Sequence, residues 1–156
     1  MNWIEILVST VLGGVIIWFI TSRIKEILET QAKLNEERRK AYIEILAPYI
    51  RILADFKGKG PIQALNEMKT YEYGKTAFEL ALFGSDDVVR AYNEYKQYTF
   101  KAKEMVDKKD EDKAKELFHL LGKFLLEIRR DVGNRKTKLK ELDMLKWKII
   151  DIEKLE

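Results

Sequence analysis

The pattern of apolar and polar positions changes character once along this chain. From Trp3 to Ile20 the sequence reads WIEILVSTVLGGVIIWFI, with Glu5 as its one ionisable residue. Between Ile6 and Ile20 it is Ile, Leu, Val, Phe and Trp, broken only by Ser9, Thr10, Gly13 and Gly14. At roughly 1.5 Å per residue a helix of that length covers about 27 Å, enough for a hydrocarbon core of about 30 Å when the flanks sit in the interface. The pattern therefore predicts one membrane-spanning helix, with residues 1–22 as the anchor.

After Ser22 no Pro or Gly occurs before Pro48, and apolar residues continue at helical spacing through Ile24, Ile27, Leu28, Leu34, Ala41, Tyr42, Ile45, Leu46, Tyr49, Ile52, Leu53 and Phe56. The span is expected to run on into a long juxtamembrane helix, residues 23–57. Positions 24, 31, 38, 45 and 52, with 28, 35, 42, 49 and 56, trace a seven-residue repeat of coiled-coil type. Gln31, Asn35 and Arg38 make its first half a thin seam. From Tyr42 to Phe56 the stripe is continuous, as suits a helix packed into a bundle. Pro48 is expected to kink that helix or remove one hydrogen bond. Lys57-Gly58-Lys59-Gly60-Pro61 ends it, with Pro61 placed for the first position of the next helix.

Residues 58–156 read as the remainder of an antiparallel bundle. Ile62 to Phe83 is one helix, or two short ones meeting near Gly74. Gly84-Ser85-Asp86-Asp87 is a stop and a start: Gly84 suits a positive φ, Ser85 a cap, and the two Asp residues the positive helix end. A helix from Asp86 to about Val106 carries Val88, Val89, Tyr92, Tyr95 and Tyr98. Asp107 to Lys113 forms a polar tip, and Ala114 to Val132 the next helix, stopped by Gly133-Asn134. Thr137 to Leu155 repeats the apolar pattern and is expected to be helical. No stretch alternates as a strand does. The fold class is thus all-α, a transmembrane helix continuing into a cytoplasmic bundle of four to five helices.

Charge sets the topology. All 29 Lys and Arg follow residue 22, against 25 of the 26 acidic residues, a formal charge of +4 for that part. That is mildly basic and no nucleic-acid signature. Arg23 and Lys25, then Lys33, Arg38, Arg39 and Lys40, flank the apolar run on its C-terminal side alone, which places the N-terminus outside and the bulk of the chain in the cytoplasm. No basic region precedes the run and no small-residue cleavage site follows it, so the anchor is expected to be retained. Trp3 and Trp18 stand near its two ends as interfacial anchors, beside Arg23 and Lys25. With 35% charged residues, mostly Lys and Glu, three Gln and no Cys, the composition leans toward that of heat-adapted proteins with surface ion-pair networks.

Within the span, Ser9 and Gly13, and Thr10 and Gly14, are pairs of small residues four apart. They offer a strip along which a second helix backbone can approach closely in lipid. Candidate chemistry is sparse. His119 is the only histidine, and of the positions three and four away only Glu116 could share a metal with it, so an ordinary bundle histidine is the expectation. The DKKDEDK run of 107–113 lacks the Gly and terminal Glu of a calcium loop. Arg129, Arg130, Arg135, Lys136, Lys138 and Lys140 form the densest basic patch, suited to an anionic lipid or phosphate, or simply to a helix C-terminal end with Asp131 pairing locally. Tyr92, Tyr95 and Tyr98 form a core stripe before they form a stacking platform. Without cysteine there is no thiol catalysis and no disulfide, and no phosphate-binding loop, nucleophile elbow or zinc-protease motif occurs.

ELALFGSDDVVRAYNEY (79–95), LLGKFLLEIRRDVG (120–133) and KWKIIDIEKL (146–155) together resemble uncharacterised prokaryotic proteins in which a single span precedes a cytoplasmic helical-bundle domain. The resemblance covers roughly the last two thirds of the chain and implies an anchored helical fold without assigning an activity. The opening is also similar to the stator b subunit of rotary ATP synthases, but that subunit is an extended helix, and the breakers at 57–61, 84–85 and 133–134 point to a folded-back bundle. The expected protein is non-enzymatic and without cofactor or metal. It is a membrane-anchored scaffold that forms homo-oligomers through Ser9, Thr10, Gly13 and Gly14 and that has room for a further protein partner. The alternative is an oligomeric pore or membrane-perturbing effector, as in phage defence, with Ser9 and Thr10 as its polar lining. A hydrolase or nucleotide site would need a nucleophile and base that the sequence does not offer.

Overall fold

The computed structural model describes the backbone of residues 3–55, 57–104 and 111–149, and the side chains of residues 18–55, 57–101 and 112–149. Five helices account for most of it: α1 (Trp3–Ala54), α2 (Gly60–Glu67), α3 (Tyr71–Phe83), α4 (Asp86–Glu104) and α5 (Glu111–Asp131), followed by a 3-10 turn at Leu142–Met144. No strand occurs among the described residues. The chain divides into two compact units, Met1–Glu37 and Arg38–Glu156. The first is the leading part of α1; the second holds the hydrophobic core.

In the second unit, cross-helix contacts fix the directions. Tyr49 meets Tyr73 and Glu44 meets Thr76, so α3 runs antiparallel to α1. Glu94 pairs with Lys123, and Tyr98 donates to the carbonyl of Lys113, so α5 runs antiparallel to α4. The core is one cluster: Tyr42, Ile45 and Tyr49 from α1; Tyr73 and Leu80 from α3; Val88, Ala91, Tyr92 and Tyr95 from α4; Leu121, Phe124 and Ile128 from α5; Leu142 and Leu145 from the turn. These residues recur every three or four positions on α1, α4 and α5 and seven apart, two turns, on α3, which is why the chain folds into packed helices rather than extended ones. Each aliphatic side chain wholly buried contributes about 1.5–3 kcal/mol.

Several local expectations are corrected. The break within 62–83 falls at Met68–Thr70, not at Gly74. There the Thr70 hydroxyl donates to the Glu67 carbonyl at 2.7 Å and accepts the Tyr73 N–H at 3.2 Å, capping α3. Gly84 is extended, with φ −62° and ψ 155°, and not left-handed; it stands where a Cβ would lie 2.5 Å from the Leu80 carbonyl oxygen. The left-handed glycine is Gly133, at φ 118°. Its N–H bonds to Arg130 O and that of Asn134 to Arg129 O, a Schellman end to α5. Helix α1 passes unbroken through the buried Pro48, which can donate no N–H to the ladder.

The last segment is not the helix expected over Thr137–Leu155, of which residues 150–155 lie outside the described residues. It crosses α5 as a chain of turns. Leu139, Leu142 and Leu145 are spaced by three, the period of a 3-10 turn, and Leu142 and Leu145 are buried while Leu139 stays exposed. Asp143 holds the turn by accepting the Lys140 N–H at 2.8 Å and pairing with Lys146 at 3.1 Å. Those two contacts, the backbone N–H first, lower the Asp143 pKa. The approach is possible because residue 122 is glycine: a Cβ there would lie 2.3 Å from Glu141 O. Of the polar tip, residues 107–110 lie outside the described residues, and Glu111–Lys113 begin α5.

Candidate interaction surfaces

In the first unit every described side chain, from Trp18 to Glu37, is exposed. These include Trp18, Phe19, Ile20, Ile24, Ile27, Leu28 and Leu34, with Trp18 at 69% and Leu28 at 60%. A globular protein scatters exposed apolar residues singly and does not string them along one helix. Four of the charges on this stretch are engaged within it. Arg23 pairs with Glu26 at 3.2 Å and lies over the Phe19 ring at 5.4 Å, and Lys25 pairs with Glu29 at 3.9 Å. The Thr30 hydroxyl donates back to the Glu26 carbonyl. The side chains of residues 1–17, which make up most of the expected span, lie outside the described residues, and with them Trp3, Ser9, Thr10, Gly13 and Gly14. Among the described residues no helix is long and apolar enough to cross a membrane.

The basic patch is distributed over two settings. Arg129 is half-buried, its Nε donating to the Thr137 hydroxyl at 3.2 Å, and Arg130 is bound to Glu127 one turn before it. Arg135, Lys136, Lys138 and Lys140 are exposed on the segment beyond α5. Arg130 and Arg135 do meet, in a cleft of about 360 Å³ that also holds Ser85, Asp87, Glu127 and Asp131. Three carboxylates against two guanidiniums make it a poor cradle for an anion.

Asp131 has a different role from the local pairing expected of it. Tyr42 donates its hydroxyl to Asp131 at 2.7 Å and accepts the Ser85 N–H at 3.2 Å. Arg38 reaches Asp131 at 3.9 Å and gives its Nε to the Phe83 carbonyl. Four parts of the second unit, α1, the end of α3, the α3–α4 turn and the end of α5, are thereby tied at one polar knot. Burial, and then the bond to Asp131, push the Tyr42 pKa up to about 12. Sequence reasoning missed the knot because its members are 43 to 93 residues apart in pairing, and no local spacing joins them.

A second cluster lies deeper. The Tyr49 and Tyr73 hydroxyls are 3.1 Å apart, those of Tyr73 and Tyr92 are 3.5 Å apart, and the Tyr49 and Tyr95 rings meet edge-on at 5.5 Å. Burial raises the pKa values of Tyr49, Tyr92 and Tyr95. Lys96 extends over the Tyr73 and Phe100 rings at 5.5 and 5.4 Å, and burial lowers its pKa. Tyr92 and Tyr95 are thus core residues, while Tyr98 is half-buried.

His119 is half-buried on the wall of an open cleft of about 720 Å³ between α4, α5 and Glu141. Carboxylates and amines alternate there: Glu94, Asp112 and Glu116 with Lys115 and Lys123, of which Lys123 binds Glu94 at 2.6 Å. No group of three metal-ligating side chains converges among the described residues. Such a mixed, open surface suits transient polar contacts more than a bound small molecule. Compared with known proteins, the chain matches no family model, no curated protein and no solved structure.

Proposed function

We propose that this protein is a membrane-anchored helical scaffold that works by binding and self-assembly rather than by catalysis. In this reading Trp3–Ile20 crosses the membrane with the N-terminus outside, the bundle lies in the cytoplasm, and the chain assembles into homo-oligomers through Ser9, Thr10, Gly13 and Gly14. The observation that supports it is the row of exposed apolar side chains from Trp18 to Leu34, contiguous in sequence with the span. Left in water, such a row exposes apolar surface at about 25 cal/mol per Å². Lipid at Trp18 and Phe19, and helix partners beyond, would remove that cost. The bundle's clefts offer mixed charge, which fits a docking role better than a reaction.

The test has two readings on the full chain. Expressed in a bacterial host, it should stay with the membrane pellet after alkaline carbonate extraction; release into the supernatant would sink the anchor. In mild detergent, Gly13→Ile should lower the oligomer mass while leaving the helical circular dichroism signal unchanged. Unchanged oligomers would refute association through the small-residue strip.

A further inference from the structure

We propose that residues 20–34 of α1 form the seam of a parallel, in-register coiled coil between two copies of this chain, a deepening that rests on the self-association set out above. Ile20, Ile24, Ile27, Gln31 and Leu34 follow one another at steps of four, three, four and three, the spacing of the two inward positions of a heptad. All five are exposed within their own chain.

Charge says what covers this face. Between Ile24 and Glu36 the charged residues are Lys25, Glu26, Glu29, Lys33 and Glu36, and at 3.6 residues per turn they all fall within about a third of the helix circumference. Over that stretch the remaining two thirds, centred on the seam, hold no charge: Leu28, Thr30 and Asn35 flank it, and Arg23, the one charge beside the seam further up, is paired with Glu26 of its own helix. Two identical faces repel each other when they carry charge and do not when they carry none, so a second copy fits without penalty. An oppositely charged partner would find nothing to complement. A membrane surface is a poor occupant too, because the polar face carries two Lys against three Glu and is not the basic face that anionic headgroups attract.

Gln31 sets the orientation. It is the only polar side chain on the seam, and its amide both donates and accepts. Placed at an inward position, it finds a matching partner only when Gln31 of the second copy lies directly across, which requires parallel helices in register. Area sets the strength. Five aliphatic side chains, Ile20, Ile24, Ile27, Leu28 and Leu34, offer roughly 60–120 Å² each, or about 300–600 Å² per copy, against about 800 Å² for a stable standard interface. The seam alone falls short of that, so it serves as the continuation of an association begun in the span.

The absence of native cysteine allows a clean test. Single cysteines are placed one at a time, by substitution, at 10, 13 and each position from 20 to 36 of the full chain. Membranes are then oxidised with copper phenanthroline and disulfide-linked dimer is read on a non-reducing gel. Yield should rise severalfold at 20, 24, 27, 31 and 34 over 25, 26, 29, 33 and 36, since a residue links to its own copy only across a parallel seam. Links at 10 or 13 without any such rise from 20 to 34 would overturn the seam and leave the span-driven assembly standing. A rise at the charged positions would overturn it as well. An absence of links at every position, with a monomeric mass in detergent, would remove both readings.

Discussion

Replacing Gly122 by alanine separates two physical effects of opposite sign. In an exposed helix interior, Gly→Ala stabilises by about 1 kcal/mol through backbone entropy and propensity. Here the added methyl would stand 2.3 Å from Glu141 O and 2.6 Å from Glu141 C, backbone atoms that cannot swing aside as a side chain would. Either the turn segment shifts locally, at about 1–3 kcal/mol as for overpacked cores, or it lifts away. Lifting exposes Leu142 and Leu145, buried to 3% and 0% exposure, and costs about 3–6 kcal/mol at 1.5–3 kcal/mol per side chain. Because the overlap is deep, the shift falls in the upper part of the first range. After subtraction of the propensity gain, Gly122→Ala is expected to destabilise the chain by about 1–2 kcal/mol. Thermal unfolding of the full chain in mild detergent, followed at 222 nm, should show a midpoint roughly 3–8 °C lower. Leu145→Ala supplies the internal check. Alone it should cost about 2–4 kcal/mol, and much less once Gly122→Ala has already loosened the segment. An unchanged or higher midpoint for Gly122→Ala, or strictly additive effects, would refute the backbone contact as the reason for glycine at 122.

Two further outcomes follow from the polar clusters. Tyr42→Phe should lose about 1–3 kcal/mol, because the Asp131 carboxylate and the Ser85 N–H both lose a partner. In an Asp131→Ala background the same change should cost clearly less, and equal costs measured by urea unfolding would show that the knot is not a unit. The tyrosines also predict alkaline unfolding. The pKa values of Tyr42, Tyr49, Tyr92 and Tyr95 are raised above 10.0 in the fold, Tyr42 to about 12, so above pH 10 the unfolded chain sheds phenolic protons that the folded chain retains. Their contribution is complete below pH 10 and is lost as pH climbs through the folded values. Tyrosinate absorbance at 295 nm should therefore rise together with the loss of helix above pH 10; full tyrosinate absorbance in a still-helical protein would contradict the burial.

The all-α class and most stops were legible because they rest on local chemistry. Asp86 begins α4 where two acidic residues meet a helix N-terminus, and Gly133-Asn134 ends α5 with the one left-handed residue it needs. The inward stripe of α1 from Tyr42 onward was legible for the same reason: its period belongs to the helix and not to its neighbours. What depends on distant partners was not legible. The Arg38–Tyr42–Asp131 knot joins residues far apart in sequence, and the 137–149 segment looked helical because a spacing of three is close to 3.6. The close approach of Glu141 to Gly122 is invisible until the two are brought together. At the N-terminal end, pairing Ile24 with Leu28 made the seam look thin. The seam proposed between two copies draws instead on Ile27 and Leu34, which stand exposed beside Ile24 and Leu28.

The placement of Leu142 and Leu145 also gives the bundle an order of birth. The core cluster joins Tyr42 on the first helix to Leu145, a separation of about a hundred residues, and the two leucines join it against α5 only after all five helices have been made. Domains generally fold as units as they leave the ribosome, and this core is complete only once Leu142 and Leu145 have been made. The nascent chain therefore presents its apolar leading helix to whatever receives it while the bundle behind is still open on one flank. A short, late, non-helical segment closes that flank, and a chain cut before Leu142 would lack the two leucines that complete the core.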